Sequence, residues 1–261
     1  MNRDDVLKAV IFDVDGTLLE TERHGHRVAF NRAFEKAGLS DRWDEKLYGK
    51  LLSVAGGRER ILHYLTERST NPPTNAGELA TDLHKSKVAE YKAMVQGGEL
   101  DVRPGILRLL DELHREGVSV AVATTGTRST VIDLLTGLGG GGPDRFAAVL
   151  TADEAPRKKP DPQVYEMALV QLGIPPHAAV AVEDSRNGLL AARAAGIPCL
   201  VTVSDYNAGE NFDEADLVVE SLGEPGAPAK VLHDPHGVTS SARVVVQPPL
   251  LEALLRRASG G

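Results

Sequence analysis

The stretch VIFDVDGT, residues 10–17, places two aspartates and a glycine directly after a run of apolar residues. The apolar run begins at Val6 and is typical of a buried strand, whereas the polar residues after it are typical of a loop. Two carboxylates separated by one residue, Asp13 and Asp15, suit Mg²⁺, which takes oxygen ligands and leaves room for a phosphate. The same spacing allows one carboxylate to attack while the other moves a proton, although a simple polar turn would have the same sequence pattern.

Beyond residue 100, strand-like and helix-like segments alternate along the chain. The strand candidates are the apolar segments 118–124, 147–151, 178–182, 199–203 and 217–219. The helix candidates each carry an apolar face and end at a glycine, namely Gly117, Gly173 or Gly196. This alternation indicates an α/β fold, a Rossmann-like parallel sheet with helices on both faces. The carboxyl ends of parallel strands meet at one edge of such a sheet, where ligands bind.

Residues 19–99 interrupt the alternation, because they show helical periodicity and no convincing strand. Glu22 and His26, for example, lie one helical turn apart. The simplest interpretation is a helical insertion after the first strand. We therefore predict a discontinuous α/β core, formed by residues 1–18 and 100–261, and an inserted all-helical domain.

The end of the chain, residues 225–261, is rich in proline and glycine and is treated as a C-terminal extension. It contains a short strand candidate, 244–246, and a helix candidate, 250–257. No pattern in this extension indicates a function.

Composition restricts the classes of function. The 261 residues include 37 acidic and 29 basic side chains, and the net charge of −8 argues against a nucleic-acid or anionic-membrane partner. No apolar run approaches the ~18 residues that cross a bilayer. The single cysteine, Cys199, excludes a disulfide framework within one chain, and the N-terminus lacks the pattern of a signal peptide. We expect a cytoplasmic monomer that binds neither nucleic acid nor membrane.

A second acidic pair, Glu183-Asp184, follows the strand candidate 178–182. Adjacent strand residues face opposite ways, so we expect Asp184 to bind a metal directly and Glu183 to support it or to bind through water. The alternative is that Asp184 and Ser185 cap the next helix.

Two further polar groups follow strand candidates. Lys158-Lys159-Pro160 precedes a helix candidate, and a lysine there can offset the charge of a phosphoryl group, although a solvated basic turn has the same composition. Thr124-Thr125-Gly126 ends the strand that begins at Val118. A hydroxyl and backbone N–H groups at that position form either an anion site or an ordinary helix cap.

Taken together and in this order, the DxDGT segment, Thr124, Lys159-Pro160 and Glu183-Asp184-Ser185 fill the four motifs of the haloacid dehalogenase superfamily, which the chain resembles over nearly its whole length. The insertion resembles the alpha-helical cap of the beta-phosphoglucomutase-like branch, and its sequence is similar to that of CbbY-type sugar-bisphosphate phosphatases. The residues that carry this second resemblance are Glu20-Thr21-Glu22, Gly25-His26-Arg27, Phe30-Asn31, Trp43-Asp44, Leu47-Tyr48-Gly49, Leu51-Leu52 and Gly56-Gly57-Arg58-Glu59-Arg60.

The resemblance implies a Mg²⁺-dependent phosphatase with an aspartyl-phosphate intermediate. Asp13 would be the nucleophile, and Asp15 would protonate the leaving group and then take a proton from water. The implied catalytic residues are Asp13, Asp15, Thr124 and Lys159. The implied Mg²⁺ ligands are Asp13, Asp15 through its backbone carbonyl, Asp184 and, in support, Glu183. Because a divalent cation partly offsets these acids, the negative net charge does not exclude an anionic substrate.

The resemblance also implies a small-molecule substrate, a sugar phosphate or bisphosphate, and specifically xylulose-1,5-bisphosphate, which inhibits Rubisco. The residues expected to bind it are Glu22, His26, Gly57, Arg58, Arg60, Thr125 and Gly126. The cap is expected to supply specificity by closing over the substrate. Two positions depart from the family pattern: Arg58 replaces a usual lysine, and Gly126-Thr127 replaces a frequent Ser-Asn pair. Arginine keeps the charge but changes the geometry of the donors.

Other functions share parts of this pattern. A sugar-phosphate mutase of the beta-phosphoglucomutase type has the same nucleophile and cap, and a phosphatase for another small ester, such as phosphoglycolate, is a further alternative. A 2-haloacid dehalogenase needs neither magnesium nor the second acidic pair. A phospho-aspartate receiver module would not need an insertion of this length. A catalytically inactive binding protein is disfavoured, because no motif position is missing.

Overall fold

A computed structural model describes residues 6–54, 56–68, 73–204 and 206–258. The chain divides into two compact units, Met1–Leu19 with Val102–Gly261, and Glu20–Asp101. The first is called the α/β unit and the second the helical unit. Residues 1–5 and 259–261 of the predicted core lie outside the described residues.

The helical unit is built around a cluster of aromatic side chains. Its helices are α1 (Arg27–Lys36), α2 (Glu45–Leu51), α3 (Gly57–His63) and α4 (Ala76–Gln96), with π-helical turns at Glu22–His26 and Tyr64–Arg68. The ring of Trp43, which is fully buried, lies 4.7 Å from the ring of Phe30 and 5.0 Å from that of Phe34. Both phenylalanines come from the buried face of α1, which therefore anchors the unit.

The α/β unit contains one eight-stranded sheet, in the order β3-β2-β1-β4-β5-β6-β7-β8. Its strands are β1 (Ala9–Phe12), β2 (Ser119–Ala123), β3 (Ala148–Leu150), β4 (Ala179–Glu183), β5 (Cys199–Thr202), β6 (Leu217–Val219), β7 (Ala229–His233) and β8 (Arg243–Val244). All pairings from β3 to β6 are parallel. The predicted Rossmann-like parallel sheet is confirmed.

The helices of the α/β unit cover its sheet. They are α5 (Ile106–Arg115), α6 (Arg128–Gly137), α7 (Gln163–Leu172), α8 (Arg186–Ala194) and α9 (Pro248–Ala258). Fully buried side chains of α7 and α8, such as Tyr165, Ala168 and Leu189, form one core with Ile11 of β1 and Ala181 of β4. The small alanines of the strands let the helices approach the sheet closely. Within the described residues, no helix is both long and apolar enough to cross a membrane.

The C-terminal extension adds structure that the sequence did not predict in full. Strand β7 pairs antiparallel with β6, and β8 pairs antiparallel with β7. Strand β7 was missed because its side chains alternate between buried and exposed, unlike the continuous apolar runs of the central strands. The strand expected at 244–246 lies at Arg243–Val244, and the helix expected at 250–257 begins two residues earlier, at Pro248.

Candidate active site

The carboxyl ends of the central strands bring the predicted polar residues of the α/β unit together. Strand β1 lies between β2 and β4, and Phe12 is in register with both Val122 and Val182. Asp13 follows Phe12 directly, and its backbone N–H donates to the carbonyl of Val182 at 3.0 Å. Asp13 therefore lies beside Glu183, the last residue of β4.

The ammonium group of Lys159 links these strand ends. Its Nζ lies 2.7 Å from Asp13 Oδ1, 2.5 Å from Glu183 Oε1 and 2.8 Å from the carbonyl oxygen of Ala123. The side chain is only 6% exposed. An ammonium has three donors, so these acceptors satisfy it completely. Lys159 thus fixes one oxygen of Asp13 in a nearly water-free position.

The pKa values of this cluster follow from burial and from the surrounding charges. Burial raises the pKa of Asp13 to about 7, and the charge of Glu183 adds to this effect, while Lys159 opposes it. Burial alone would lower the pKa of Lys159, but the carboxylates of Asp13 and Glu183 outweigh burial and raise it. Lys159 therefore remains an ammonium, and full ionisation of the surrounding carboxyl groups would create more negative charge than one ammonium can balance.

Asp184 completes an acidic group at the same sheet edge. Asp13, Glu183 and Asp184 each offer one carboxylate oxygen, and these atoms lie within 4.8 Å of one another. Burial and the charges of Asp13 and Glu183 raise the pKa of Asp184 well above its ordinary value. A hard divalent cation such as Mg²⁺, which prefers oxygen ligands, fits this group because it would relieve the excess of buried negative charge.

A glycine makes the approach of Asp184 possible. Gly16 has a φ of +83°, and a Cβ atom at this position would lie 2.2 Å from Asp184 Oδ2. Any side chain there would displace the carboxylate of Asp184. The glycine of the DxDGT segment is therefore required both by the backbone conformation and by the space that Asp184 occupies.

Within the acidic group, Glu183 is held differently from Asp184. The hydroxyl of Tyr165 donates to Glu183 Oε1 at 2.6 Å, and this is the same oxygen that contacts Lys159. The backbone N–H of Asp184 and the hydroxyl of Ser185 also donate to Glu183, at 3.2 and 3.4 Å. These donors occupy both carboxylate oxygens of Glu183, which therefore mainly neutralises the Lys159 ammonium. Asp13 and Asp184 have more carboxylate oxygen available to bind a cation.

The loop after β2 lies next to Asp15. Thr124 is buried, and its Oγ1 accepts from the backbone N–H of Gly126 at 3.2 Å. A Cβ atom on Gly126 would lie 3.9 Å from Asp15 Oδ2, which is ordinary contact distance. Thr125 is exposed in the same loop, and helix α6 begins after it at Arg128. Asp15, Thr124 and Gly126 are thus close neighbours.

Two of the predicted cap residues, Glu22 and Arg60, are joined through Tyr48 within the helical unit. The hydroxyl of Tyr48 donates to Glu22 Oε2 at 2.5 Å, and Arg60 Nη1 donates to that hydroxyl at 3.3 Å. Arg58 is not part of this network, because its Nε donates to Thr81 Oγ1 at 3.0 Å. Tyr48 therefore joins Glu22 to Arg60, a connection that the sequence did not indicate.

Gly57, another predicted cap residue, begins α3. A Cβ atom there would lie 2.8 Å from the ring of His84. Gly57 thus allows α3 and α4 to pack closely, which is a structural reason for a glycine at this position.

His26 contacts a buried lysine, Lys87, that the sequence analysis did not single out. Lys87 Nζ lies 3.0 Å from His26 Nδ1, and the lysine is 8% exposed between the rings of Phe30 and Tyr91. Because an ammonium can only donate, Nδ1 accepts, and a neutral His26 carries its proton on Nε2. Burial, Lys87 and Arg60 together lower the pKa of His26 well below its ordinary value of 6.5.

We predict that His26 remains neutral from about pH 8 down to about pH 6, because protonation would place a second cation beside Lys87. Lys87→Met should raise the pKa of His26 by removing that charge, while burial keeps the value below 6.5. Lys92→Met, at an exposed position on the same helix, should leave it unchanged. The measurement is an imidazole ¹H–¹⁵N NMR titration of the three proteins. An ordinary pKa for His26 in the unmodified protein would contradict this arrangement.

Comparison with known proteins agrees with this geometry. The profile of the haloacid dehalogenase-like hydrolases matches residues 7–196. Protein CbbY encoded on a plasmid of Cupriavidus necator is 44% identical over 227 residues, which cover 85% of this chain and 88% of the relative.

Three solved structures of two proteins extend the comparison. CbbY from Rhodobacter sphaeroides, solved with phosphate and, as an Asp-to-Asn mutant, with xylulose-(1,5)bisphosphate, is 39% identical, with a TM-score of 0.65 over 83% of this chain and 95% of that one. A Thermotoga maritima protein described as a beta-phosphoglucomutase is 26% identical, with a TM-score of 0.63 over 78% of this chain and 89% of that one. The chain therefore belongs to the haloacid dehalogenase-like hydrolases, and within them it is a CbbY-like phosphatase.

Proposed function

We propose that the protein hydrolyses a sugar bisphosphate, with xylulose-1,5-bisphosphate as the first candidate, through an aspartyl-phosphate on Asp13. The observation that carries the proposal is the contact of Lys159 with both Asp13 and Glu183 in a buried acidic group. The CbbY relative solved with xylulose-(1,5)bisphosphate supports the choice of substrate, since it is 39% identical over most of both chains.

In the first step, Asp13 attacks phosphorus in line with the bond to the sugar oxygen. Lys159 holds Asp13 Oδ1, so the carboxylate is oriented before the substrate arrives. The new bond joins an Asp13 oxygen to phosphorus, and the bond from phosphorus to the sugar oxygen breaks. Asp15 gives its proton to that oxygen, Thr124 interacts with the transferred group, and the positive charge of Lys159 stabilises it electrostatically.

In the second step, water attacks the phosphorus of the aspartyl-phosphate. Asp15, now a carboxylate, takes the proton of this water. Inorganic phosphate leaves, and the Asp13 carboxylate is restored. The stoichiometry is one water consumed for each phosphate released.

The proposed metal is Mg²⁺, held by the carboxylates of Asp13 and Asp184 and by the backbone carbonyl of Asp15, with Glu183 in support. When bound, it supplies positive charge against the phosphoryl oxygens. The raised pKa values of Asp13 and Asp184 support this assignment, since they arise from burial of the carboxylates and from repulsion between them, both of which a cation would relieve.

The helical unit is proposed to act as the cap that selects the substrate, inserted between the two parts of the core, residues 1–18 and 100–261. Glu22 and His26 supply hydrogen-bonding groups suited to sugar hydroxyls. Arg60, which is charged and already oriented by Tyr48, is the stronger candidate for the second phosphate. Arg58 is more exposed and is paired with Glu59 at 3.4 Å, so its contribution should be smaller.

We predict that the protein releases phosphate from xylulose-1,5-bisphosphate only when Mg²⁺ is present, and that Asp13→Asn lowers the rate by on the order of 10⁴-fold or more, because an amide cannot serve as the nucleophile. The measurement is phosphate release over a series of sugar mono- and bisphosphates, with and without Mg²⁺. Asp213→Asn, at an exposed position of the same unit, is the matched control and should keep full activity.

Thermal unfolding of the Asp13→Asn protein separates loss of chemistry from loss of fold. Hydrolysis by Asp13→Asn at a rate near that of the unmodified protein would overturn the mechanism. Interconversion of sugar-phosphate isomers without net release of phosphate would instead identify a mutase.

We also predict that Arg60→Ala raises KM for the bisphosphate by about tenfold or more, because it removes a charged hydrogen-bonding partner of the second phosphate. KM for a monophosphate should change much less. Arg58→Ala should have a smaller effect in the same direction. Arg32→Ala, which removes only an exposed pair with Glu99, is the control. Equal effects of Arg60→Ala on both substrates would exclude this role.

A further inference from the structure

Asn207 contacts the acidic group from outside the four motifs. It lies in the segment between β5 and β6 and is only 7% exposed. Buried polar side chains are normally hydrogen-bonded, and the partners of Asn207 indicate what its burial achieves.

The carboxamide of Asn207 is directed at Asp184. Its Nδ2 donates to the backbone carbonyl of Asp184 in a short hydrogen bond and to Asp184 Oδ2 at 3.1 Å. Its Oδ1 accepts from the backbone N–H of Ser204 at 2.6 Å. Both amide hydrogens and the amide oxygen are therefore in use, so the side chain has one defined orientation.

Asp184 is consequently constrained on two sides. Because Gly16 has no Cβ atom, Asp184 Oδ2 can approach its backbone. A Cβ atom there would lie 2.2 Å from this oxygen. Asn207 donates to the same oxygen and also to the backbone of the same residue. A donor that bridges the carbonyl and the carboxylate of one residue restricts rotation of that carboxylate about its side-chain bonds.

We propose that Asn207 is a positioning residue that orients the carboxylate of Asp184 for Mg²⁺. The inference rests on the proposed function, in which Asp184 is a metal ligand. A neutral amide suits this task better than lysine or arginine would, because it fixes the carboxylate without bringing a positive charge that would compete with the cation. Hydrogen-bond partners of metal ligands commonly contribute to affinity in this manner.

The direct test is the affinity for Mn²⁺, used as a spectroscopic probe of the Mg²⁺ site, measured by electron paramagnetic resonance of the free ion without substrate. Asn207→Ala should weaken binding by about tenfold. Asn211→Ala is the matched control, because Asn211 is an exposed asparagine of the same segment whose Oδ1 accepts from the backbone N–H of Asp213 at 2.8 Å. The affinity of this variant for Mn²⁺ should equal that of the unmodified protein.

The outcomes distinguish the inference from the proposed function. If the unmodified protein binds Mn²⁺ and Asn207→Ala binds it within about twofold, the positioning role is wrong. If the unmodified protein does not bind Mn²⁺ at all, the proposed metal site itself fails, and the inference fails with it.

A second variant covers the case in which Asn207→Ala does not fold. Asn207→Asp keeps an acceptor for the N–H of Ser204 but replaces the amide donor with a carboxylate that faces Asp184. Repulsion between the two carboxylates should lower Tm in EDTA, and Mg²⁺ should raise Tm by more than in the unmodified protein. An unchanged Tm in EDTA together with an unchanged response to Mg²⁺ would show that Asn207 does not face Asp184, and would overturn the inference.

Discussion

The burial of the Lys159 ammonium among carboxylates is the interaction on which the site depends. Removing a charge from water costs roughly several kcal/mol, and the cost is offset only where opposite charges and hydrogen bonds surround the group. Asp13, Glu183 and the carbonyl of Ala123 meet that requirement. With Asp184 ionised as well, the cluster would carry more negative than positive charge, which a divalent cation would offset. The proposed nucleophile, Asp13, is thus fixed by a permanent internal cation, and in the proposed mechanism a second, exchangeable cation completes the charge balance.

The parallel sheet and a few small residues make this arrangement possible. Because β1 pairs with β2 and β4 in matching register, the carboxyl ends of the three strands are level, and groups from all three ends reach Lys159. Close approach then requires glycine at two places. A Cβ on Gly16 would overlap Asp184, and one on Gly188 would lie 1.9 Å from Glu183 Oε2. Glycine at these two positions therefore leaves the space that the carboxylates of Asp184 and Glu183 occupy.

Much of the α/β unit could be predicted from sequence because its central strands are continuous apolar runs followed by polar residues. The residues that the motifs singled out there, Asp13, Lys159 and Asp184, lie together in the structure. Tyr165 and Asn207 were not found, since a tyrosine on an apolar helical face and an asparagine in a loop carry no local signal of the carboxylate that each contacts. Lys87 was also missed, because the apolar periodicity of its helix gives no sign of its contact with His26. Hydrogen-bond partners that only the tertiary fold brings together, such as those of these three residues, cannot be recognised from the spacing of residues along the chain.

The stereochemical course at phosphorus tests the central claim most directly. The substrate would carry a phosphoryl group made chiral with oxygen isotopes, and the configuration of the released phosphate would be determined after hydrolysis in labelled water. Attack by Asp13 followed by attack of water gives two inversions, so the account predicts net retention of configuration. Net inversion would mean that water attacks the substrate in a single step, and would contradict the role of Asp13 as the nucleophile.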